Sequence, residues 1–289
     1  MTINVSRRGF LKASAAGTTA LLVGVNAKGV LAAGNTASAA TDLNPFVKID
    51  ADGTVTVIIK HFEMGQGTTT GLTTLVAEEL DADWDAVAID FAPANTERYK
   101  NLFFGAQGTG GSTSIANSFM QYREAGAAAR DLLVRAAAQK WGVDASSISV
   151  ENGMLTSGGN SAHFGEFVAI AATLEAIEKP TVKTPDQFKL IGSEKLHRKD
   201  NTGKTNGTAM FAMDVNLPGM IYAAIMRSPK FGGTVVSFDD SGAKDVGGFI
   251  AAQVLPNKAG VVAFGKNTWA AFQARDALSV EWDFIAAET

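Results

Sequence analysis

The chain has 289 residues, which is enough for one large domain or two modest ones with a sizeable core. It contains no cysteine, so it has no disulfide, no thiolate nucleophile and no iron–sulfur cluster of its own. The net charge is −4, and it becomes −8 without residues 1–39, which hold four basic side chains and no acidic one. An acidic chain argues against a general nucleic-acid binder.

The N-terminal segment has the features of an export signal. Residues 6–12 read SRRGFLK, a twin-arginine motif, and a mildly apolar run follows at 13–25. That run is shorter than the roughly 20 residues that span a bilayer, and residues 37–39 read ASA, a small-x-small cleavage site. We expect residues 1–40 to be a signal peptide read by the twin-arginine export machinery, and the protein to be periplasmic. The alternative is an uncleaved membrane anchor.

Residues 45–178 contain the patterns of both strands and helices. A β-branched run after Asp52-Gly53 predicts a strand, and apolar residues three and four positions apart predict helices. In chain order the predicted elements are a strand at 55–60, a helix at 70–80, a strand at 86–91, a long helix at 112–141, a hairpin at 148–155 and a helix at 164–174.

The rest of the chain begins with a change in composition. Residues 179–204 are polar, with two prolines, and predict a linker. A second unit at 205–289 follows, and its apolar runs predict several strands and one helix. The predicted elements are strands at 219–226, 234–238, 249–255 and 260–264, a helix at 267–278 and a strand near 280–282.

Two glycine-rich loops share one design. Residues 63–70 read EMGQGTTT and residues 105–114 read GAQGTGGSTS, and each precedes a predicted helix. Glycine lets the backbone approach a ligand closely, and a helix start offers free N–H groups and a positive dipole end. Each loop therefore predicts a site for phosphate or pyrophosphate. The alternative for each is an ordinary turn that caps a helix.

Familiar nucleotide and metal motifs do not fit. The second loop has the spacing of a phosphate-binding P-loop, but Gly111 occupies the lysine position. The first has Thr70 where a dinucleotide-binding fingerprint needs glycine. The aspartates at 81–85 lack the glycine and glutamate of a calcium loop. The three histidines show no metal-ligand spacing; they are His61, His163 and His197.

Both loops resemble the cofactor loops of the xanthine dehydrogenase and aldehyde oxidase family, with the best match to large subunits of the isoquinoline 1-oxidoreductase type. The matching residues are 64–67 (MGQG), 75–80 (LVAEEL), 107–114 (QGTGGSTS), 125–130 (AGAAAR) and 132–134 (LLV). The second unit resembles the hammerhead domain of that family at 207–211, 214–220, 227–229, 238–240 and 281–283. The implied fold is α+β: a first molybdopterin-binding α/β segment at 45–178, the linker, and an α/β hammerhead domain at 205–289.

The resemblance implies a molybdenum hydroxylase that hydroxylates N-heterocycles or oxidises aldehydes with oxygen derived from water. It implies molybdopterin, in its dinucleotide form, carrying molybdenum on a dithiolene, so no residue of the chain is expected to bind the metal. Electrons would leave a small-molecule substrate through iron–sulfur clusters on a small partner subunit. The residues implied to contact the cofactor are Gly65, Gln66, Gly67, Gly110, Gly111, Ser112, Thr113 and Ser114.

One departure from the family matters. The catalytic glutamate of the family lies in a later region, so we assign no catalytic residue here. Glu63 is not a substitute for it, and neither are Glu78 and Glu79, which we expect on a helix face. We expect a truncated chain that is inactive alone. The alternatives are a non-catalytic remnant or protein-interaction module that keeps the hammerhead domain, and a periplasmic binder of another phosphorylated ligand.

Overall fold

The computed structural model describes residues 20–26, 31–35 and 43–288, with side chains at 20–23 and 46–288. The predicted twin-arginine motif at 6–12 and the cleavage site at 37–39 lie outside the described residues. The chain forms two compact units, divided between Ala209 and Met210. In the described part of the chain, helices and strands occur in both units, which confirms the predicted α+β class.

Unit 1 is built on a mixed sheet whose strands lie in the order β2-β1-β3-β4-β5. The pair β4 and β5 is parallel, and the other neighbours are antiparallel. A small antiparallel sheet, β6-β7-β8, contains the predicted hairpin at Asn152-Gly153. The strands are β1 (Leu21–Asn26), β2 (Leu31–Asn35), β3 (Leu43–Ile49), β4 (Val55–Ile59), β5 (Ala88–Phe91), β6 (Ser149–Glu151), β7 (Met154–Ser157) and β8 (Asn160–His163).

Two long helices of unit 1 pack against each other. The helices of this unit are α1 (Thr68–Leu80), α2 (Thr96–Tyr99), α3 (Ser114–Trp141), α4 (Val168–Ala171) and α5 (Asn201–Asn206). A β-carbon at Gly126 of α3 would lie 2.8 Å from the carbonyl oxygen of Val76 in α1, so only glycine permits this approach. Tyr122 of α3 donates to the carbonyl oxygen of Ile58 and accepts from the amide of Lys60. These contacts fix the end of β4, and the loop after it, beside α3.

The N-terminal strands include part of the predicted signal segment. Strand β1 pairs with β2 and with β3, and the side chains of Leu21 and Val23 are fully buried in the core. The apolar residues of the segment thus form a strand of the sheet. Residues 21–26 and 31–35, which lie within the predicted signal peptide, are therefore strands of this sheet.

The predicted linker at 179–204 belongs to unit 1 and is attached to α1. The carboxylates of Glu78 and Glu79 are 1% and 2% exposed, so they are anchors rather than a solvated helix face. One oxygen of Glu78 accepts from three successive amides, those of 189–191, and Glu79 accepts from the amide of Lys183. The sequence missed this attachment because the segment has few apolar residues and is held by hydrogen bonds and ion pairs.

Unit 2 contains a three-stranded antiparallel sheet, β11-β12-β9, and a two-stranded pair, β10 and β13. Its core includes Val235, Val261 and Ala274. The short helix α6 was not predicted, and the other elements follow the prediction within a few residues. The elements are β9 (Tyr222–Arg227), β10 (Thr234–Asp239), α6 (Ser241–Lys244), β11 (Phe249–Val254), β12 (Gly260–Gly265), α7 (Thr268–Asp276) and β13 (Ser279–Asp283).

Some elements differ from the prediction. The helix predicted at 164–174 is a 3₁₀ turn at Phe164–Glu166 followed by the short α4. Strands β3 and β8 were not predicted. Among the described residues, no helix has both the length and the apolar character needed to cross a membrane.

Candidate functional site

The two glycine-rich loops lie side by side. We call residues 63–67 the first loop and residues 105–113 the second loop. His61 Nδ1 is 3.1 Å from the carbonyl oxygen of Gly108, and the amide of Phe62 donates to Thr109 Oγ1 at 2.8 Å. These bonds join positions 47 residues apart in the sequence. The residues predicted to bind the cofactor therefore come from one continuous surface of unit 1.

The first loop is closed around a carboxylate of its own. Glu63 Oε1 accepts from the amides of Gly65 and Gly67, at 2.7 and 3.0 Å. Glu63 Oε2 accepts from the amide and the hydroxyl of Thr69, at 3.0 and 2.9 Å. Burial acts to raise the pKa of Glu63, but the hydrogen bonds from Gly67, Thr69 and Gly65 outweigh it and lower that pKa. The first loop thus already holds an anion.

Arg198 completes the first loop from the segment after Lys179. Its guanidinium donates to the carbonyl oxygen of Gly65 at 2.7 Å and lies 3.2 Å from Glu63 Oε1. The side chain of Gln66 folds back on the loop, since its oxygen accepts from the amide of Met64 and its nitrogen donates to the carbonyl of Phe62. A phosphate could reach the amides of Gly65 and Gly67 only by displacing Glu63.

The second loop is organised by Asn101, which is fully buried. The side-chain oxygen of Asn101 accepts from the amide of Phe103, and its nitrogen donates to Thr113 Oγ1 at 2.6 Å. Its backbone carbonyl accepts from the amide of Gly105, and its backbone amide donates to the carbonyl oxygen of Ala106. Thr113 in turn donates to the carbonyl oxygen of Gly110. Asn101 therefore anchors both ends of the second loop, and Gln107 anchors its middle, since the Gln107 side chain accepts from the amide of Asn95 and donates to the carbonyl oxygen of Pro93.

The start of α3 is the open part of the site. In the described chain, the amides of Ser114, Ile115 and Ala116 have no hydrogen-bond acceptor, and the first turn carries no acidic residue. A β-carbon placed at Gly110 would meet no atom within 4 Å. Free N–H groups at a helix start and an unobstructed approach are the features of an anion site.

The charges and polar groups nearby suit an anionic ligand. Lys60 is 4% exposed, and its ammonium donates to the neutral oxygens of Gln121 and Lys100, at 2.7 and 3.3 Å. Burial lowers the pKa of Lys60 to about 8, so the group is mostly charged at neutral pH. Beside Gly67, the hydroxyl of Thr68 is buried and has no hydrogen-bond partner among the residues that the structure describes. Within the described residues, no group of acidic or histidine side chains is arranged to hold a metal ion.

Large apolar side chains surround the loops and are exposed to solvent. The exposed fractions are 68% for Phe62, 71% for Met64, 64% for Phe103 and 51% for Phe104. Sequence reasoning missed these residues, and it also missed Asn101. The apolar residues could have been found in the sequence by their position next to the glycines of the two loops.

The similarity to known proteins includes both glycine-rich loops. The family described as "Molybdopterin cofactor-binding domain" matches residues 9–217. The beta subunit of isoquinoline 1-oxidoreductase from Brevundimonas diminuta is 34% identical, over 97% of this chain and 40% of the relative. A membrane-bound aldehyde dehydrogenase of Gluconacetobacter polyoxogenes, named for pyrroloquinoline quinone, is 33% identical over 81% of this chain and 31% of the relative.

A third relative is a nicotinate dehydrogenase subunit from Pseudomonas putida. It is 29% identical over 83% of this chain and 20% of the relative. The chain therefore spans between one fifth and two fifths of the length of these relatives.

Proposed function

Because the chain belongs to the molybdopterin cofactor-binding domain family, as part of a large subunit of the xanthine dehydrogenase type, we propose that it binds the cofactor of a molybdenum hydroxylase. The cofactor would be the dinucleotide form of molybdopterin, and the second loop and the start of α3 would hold its phosphates. The observation that carries this proposal is the set of free amides at 114–116 next to the open edge of Gly110.

The residues of the chain would bind and orient the cofactor rather than react. The amides of Ser114, Ile115 and Ala116 would bind phosphate oxygens, and the charge of Lys60 would favour the anion from beneath. Glu63 keeps the first loop in shape by accepting from the amides of Gly65 and Gly67. When bound, the molybdenum centre would supply the transfer of water-derived oxygen to an N-heterocycle or an aldehyde.

The partner and the location are part of the same proposal. Iron–sulfur clusters need cysteine ligands, which these 289 residues lack, and the two relatives that are named as subunits support a multi-subunit enzyme with such a partner. The motif at 6–12 supports twin-arginine export to the periplasm. Replacing Arg7 and Arg8 together by lysine should leave the protein in the cytoplasmic fraction, and periplasmic recovery of that variant would contradict export by this route.

The cofactor site can be tested with the substitution Gly110→Ala. Because Gly110 does not have a positive φ and a β-carbon there meets nothing, the variant should fold normally. The added methyl group would lie where the ligand approaches. We expect the affinity for inorganic pyrophosphate, titrated by calorimetry, to fall about tenfold, which is about 1.4 kcal/mol. The matched control is Gly159→Ala, which has the same freedom but lies in the turn before β8.

Three results bear on this proposal. Loss of affinity in Gly110→Ala and not in Gly159→Ala supports it. Equal affinity in both variants, or no binding of pyrophosphate by the unsubstituted chain, contradicts it. Competition of pyrophosphate with an isolated pterin dinucleotide, but not with pyrroloquinoline quinone, identifies the pterin as the ligand, and the reverse result would reject it.

A further inference from the structure

His61 follows β4 and connects three parts of the site. Its side chain is 2% exposed. Its Nδ1 lies 3.1 Å from the carbonyl oxygen of Gly108 in the second loop. Its Nε2 lies 3.1 Å from Ser118 Oγ and 3.2 Å from Asn117 Nδ2, both on α3. The imidazole is thus a buried bridge between the backbone before the first loop, the second loop and the first turns of α3.

The partners of Asn117 fix which nitrogen of His61 carries the proton. Asn117 Nδ2 donates to the carbonyl oxygen of Thr113 at 2.5 Å, and Asn117 Oδ1 accepts from the amide of Leu102 at 3.3 Å. The amide nitrogen of Asn117 therefore faces His61 as a donor, and Nε2 must accept. A carbonyl oxygen can only accept, so Nδ1 must carry the proton and donate to Gly108. The surroundings select the neutral tautomer that is protonated on Nδ1.

A second proton on His61 conflicts with this arrangement. It would place an N–H group against the N–H groups of Asn117, and only the hydroxyl of Ser118 could turn to accept it. Among the charged and titratable groups around the ring, the ammonium of Lys60 disfavours an imidazolium, whereas the hydrogen bond to the Gly108 carbonyl favours one and is outweighed by burial and Lys60. The strand end of His61 contributes the ammonium of Lys60, the second loop contributes only the Gly108 carbonyl, and α3 contributes neutral side chains. Because burial makes the charge of an imidazolium costly, protonation favours an opened arrangement in which the ring reaches water and no longer donates to Gly108.

We propose that His61 is a positioning residue that holds the second loop against the first, and that its protonation releases the second loop. This inference rests on the proposed function only in taking the two loops as the cofactor site. Burial, and then the charge of Lys60, hold the pKa of His61 below 6.5. The stability that the neutral bridge provides is therefore complete above pH 6.5 and is lost as the pH falls from there through the folded pKa. Release of the cofactor in acid is the expected consequence.

The variants His61→Asn and His61→Gln distinguish the contribution of Nδ1 from that of Nε2. Asparagine places an N–H close to the position of Nδ1 and can keep the bond to Gly108. Glutamine reaches the position of Nε2 and leaves the carbonyl of Gly108 without its donor. Phe103 and Phe104 in the second loop are exposed, so chymotrypsin cleavage there, followed by mass spectrometry on the full chain, reports how often the loop opens.

At pH 7.5 we expect about tenfold faster cleavage in His61→Gln than in the unsubstituted chain, and less than a twofold change in His61→Asn. His163→Gln, a histidine replaced outside the two loops, is the control and should change nothing at Phe103 and Phe104. Equal rates in the glutamine and asparagine variants would overturn the role of the Nδ1 bond. Global unfolding would also accelerate cleavage at other sites, so the ratio of the second-loop products to all other products is the quantity compared.

The pH arm uses the same ratio, with a free reference peptide to correct for the activity of the protease. Between pH 7.5 and 5.5, second-loop cleavage should rise in the unsubstituted chain and stay constant in His61→Asn. Nitrogen NMR of the imidazole should show a protonated Nδ1 and an unprotonated Nε2 at pH 7.5. A ring protonated on Nε2, or a pH-independent cleavage ratio, would overturn the proposal.

A ligand arm distinguishes this inference from the proposed function. Pyrophosphate should bind the glutamine variant more weakly than the asparagine variant. If the unsubstituted chain binds no pyrophosphate, the cofactor proposal fails, and the role of His61 is still decided by the cleavage ratio and the tautomer.

Discussion

The two glycine-rich loops have similar sequences but opposite electrostatic states. In the first loop, the amides of Gly65, Gly67 and Thr69 all donate to Glu63, a carboxylate of the same chain. In the second loop, the amides at the start of α3 have no acceptor in the described residues, and no acidic side chain lies in the first turn. A glycine-rich loop before a helix can therefore bind either a carboxylate of its own chain or an external anion. The outcome depends on whether an acidic residue lies close enough to accept from the amides at the helix start.

The largest effect should come from removing the support of the second loop. Asn101→Ala deletes a fully buried amide with two side-chain hydrogen bonds and leaves Thr113 Oγ1 without its donor. We expect the free energy of unfolding, measured with urea, to fall by about 3 kcal/mol. The matched control is Asn206→Ala, which removes an exposed amide and should cost less than about 1 kcal/mol. Similar losses in the two variants would show that Asn101 does not organise the loop.

A smaller effect on stability should follow from neutralising the Glu63 carboxylate in the first loop. Glu63→Gln keeps the size of the side chain and removes its charge, so the free energy of unfolding should fall by about 2 kcal/mol at pH 7, because hydrogen bonds to a charged group are lost. The pKa of Glu63 is lowered in the folded protein. Its contribution is therefore present above 4.5 and is lost as the pH falls through the folded pKa.

Urea unfolding of both proteins between pH 7 and pH 3 tests this, since the difference should shrink towards acid. The variant should also bind pyrophosphate more tightly than the unsubstituted chain, because it lacks the negative charge of Glu63, which repels the anion. A difference in stability that does not change with pH would mean that the charge of Glu63 is not what fills the loop.

The smallest effect on stability should come from adding a carboxylate at the start of α3, next to the second loop. Ala116 is exposed in the first turn of α3, so Ala116→Glu places there a carboxylate like that of Glu63. Interaction with the helix dipole should raise the free energy of unfolding by roughly 0.3–1 kcal/mol. Pyrophosphate binding should weaken at the same time, and Ala116→Gln provides the uncharged control. If glutamate and glutamine act alike, charge at the start of α3 has no role in anion binding.

Much of this arrangement could be predicted from local sequence. The glycines, the two helix starts and most strands of both units follow from periodicity and turn residues within about ten positions of each other. Contacts between distant residues could not be predicted in this way. The bond from His61 to Gly108 joins positions 47 residues apart in the sequence. The bonds from Glu78 to the amides of 189–191 join positions that are 111–113 residues apart. A carboxylate that fills its own loop looks, in sequence, the same as one that leaves the loop open.

The ion pair between Arg198 and Glu63 has a consequence for the order in which the protein is made. Arg198 follows Glu63 by 135 positions, so the ribosome exposes the first loop long before its guanidinium partner. At ordinary rates of synthesis the delay is on the order of ten seconds. During that interval the loop exists without its last contact. The contacts of Arg198 with the first loop therefore form late in synthesis. A first loop with these contacts in place requires that the chain up to Arg198 has been translated and folded.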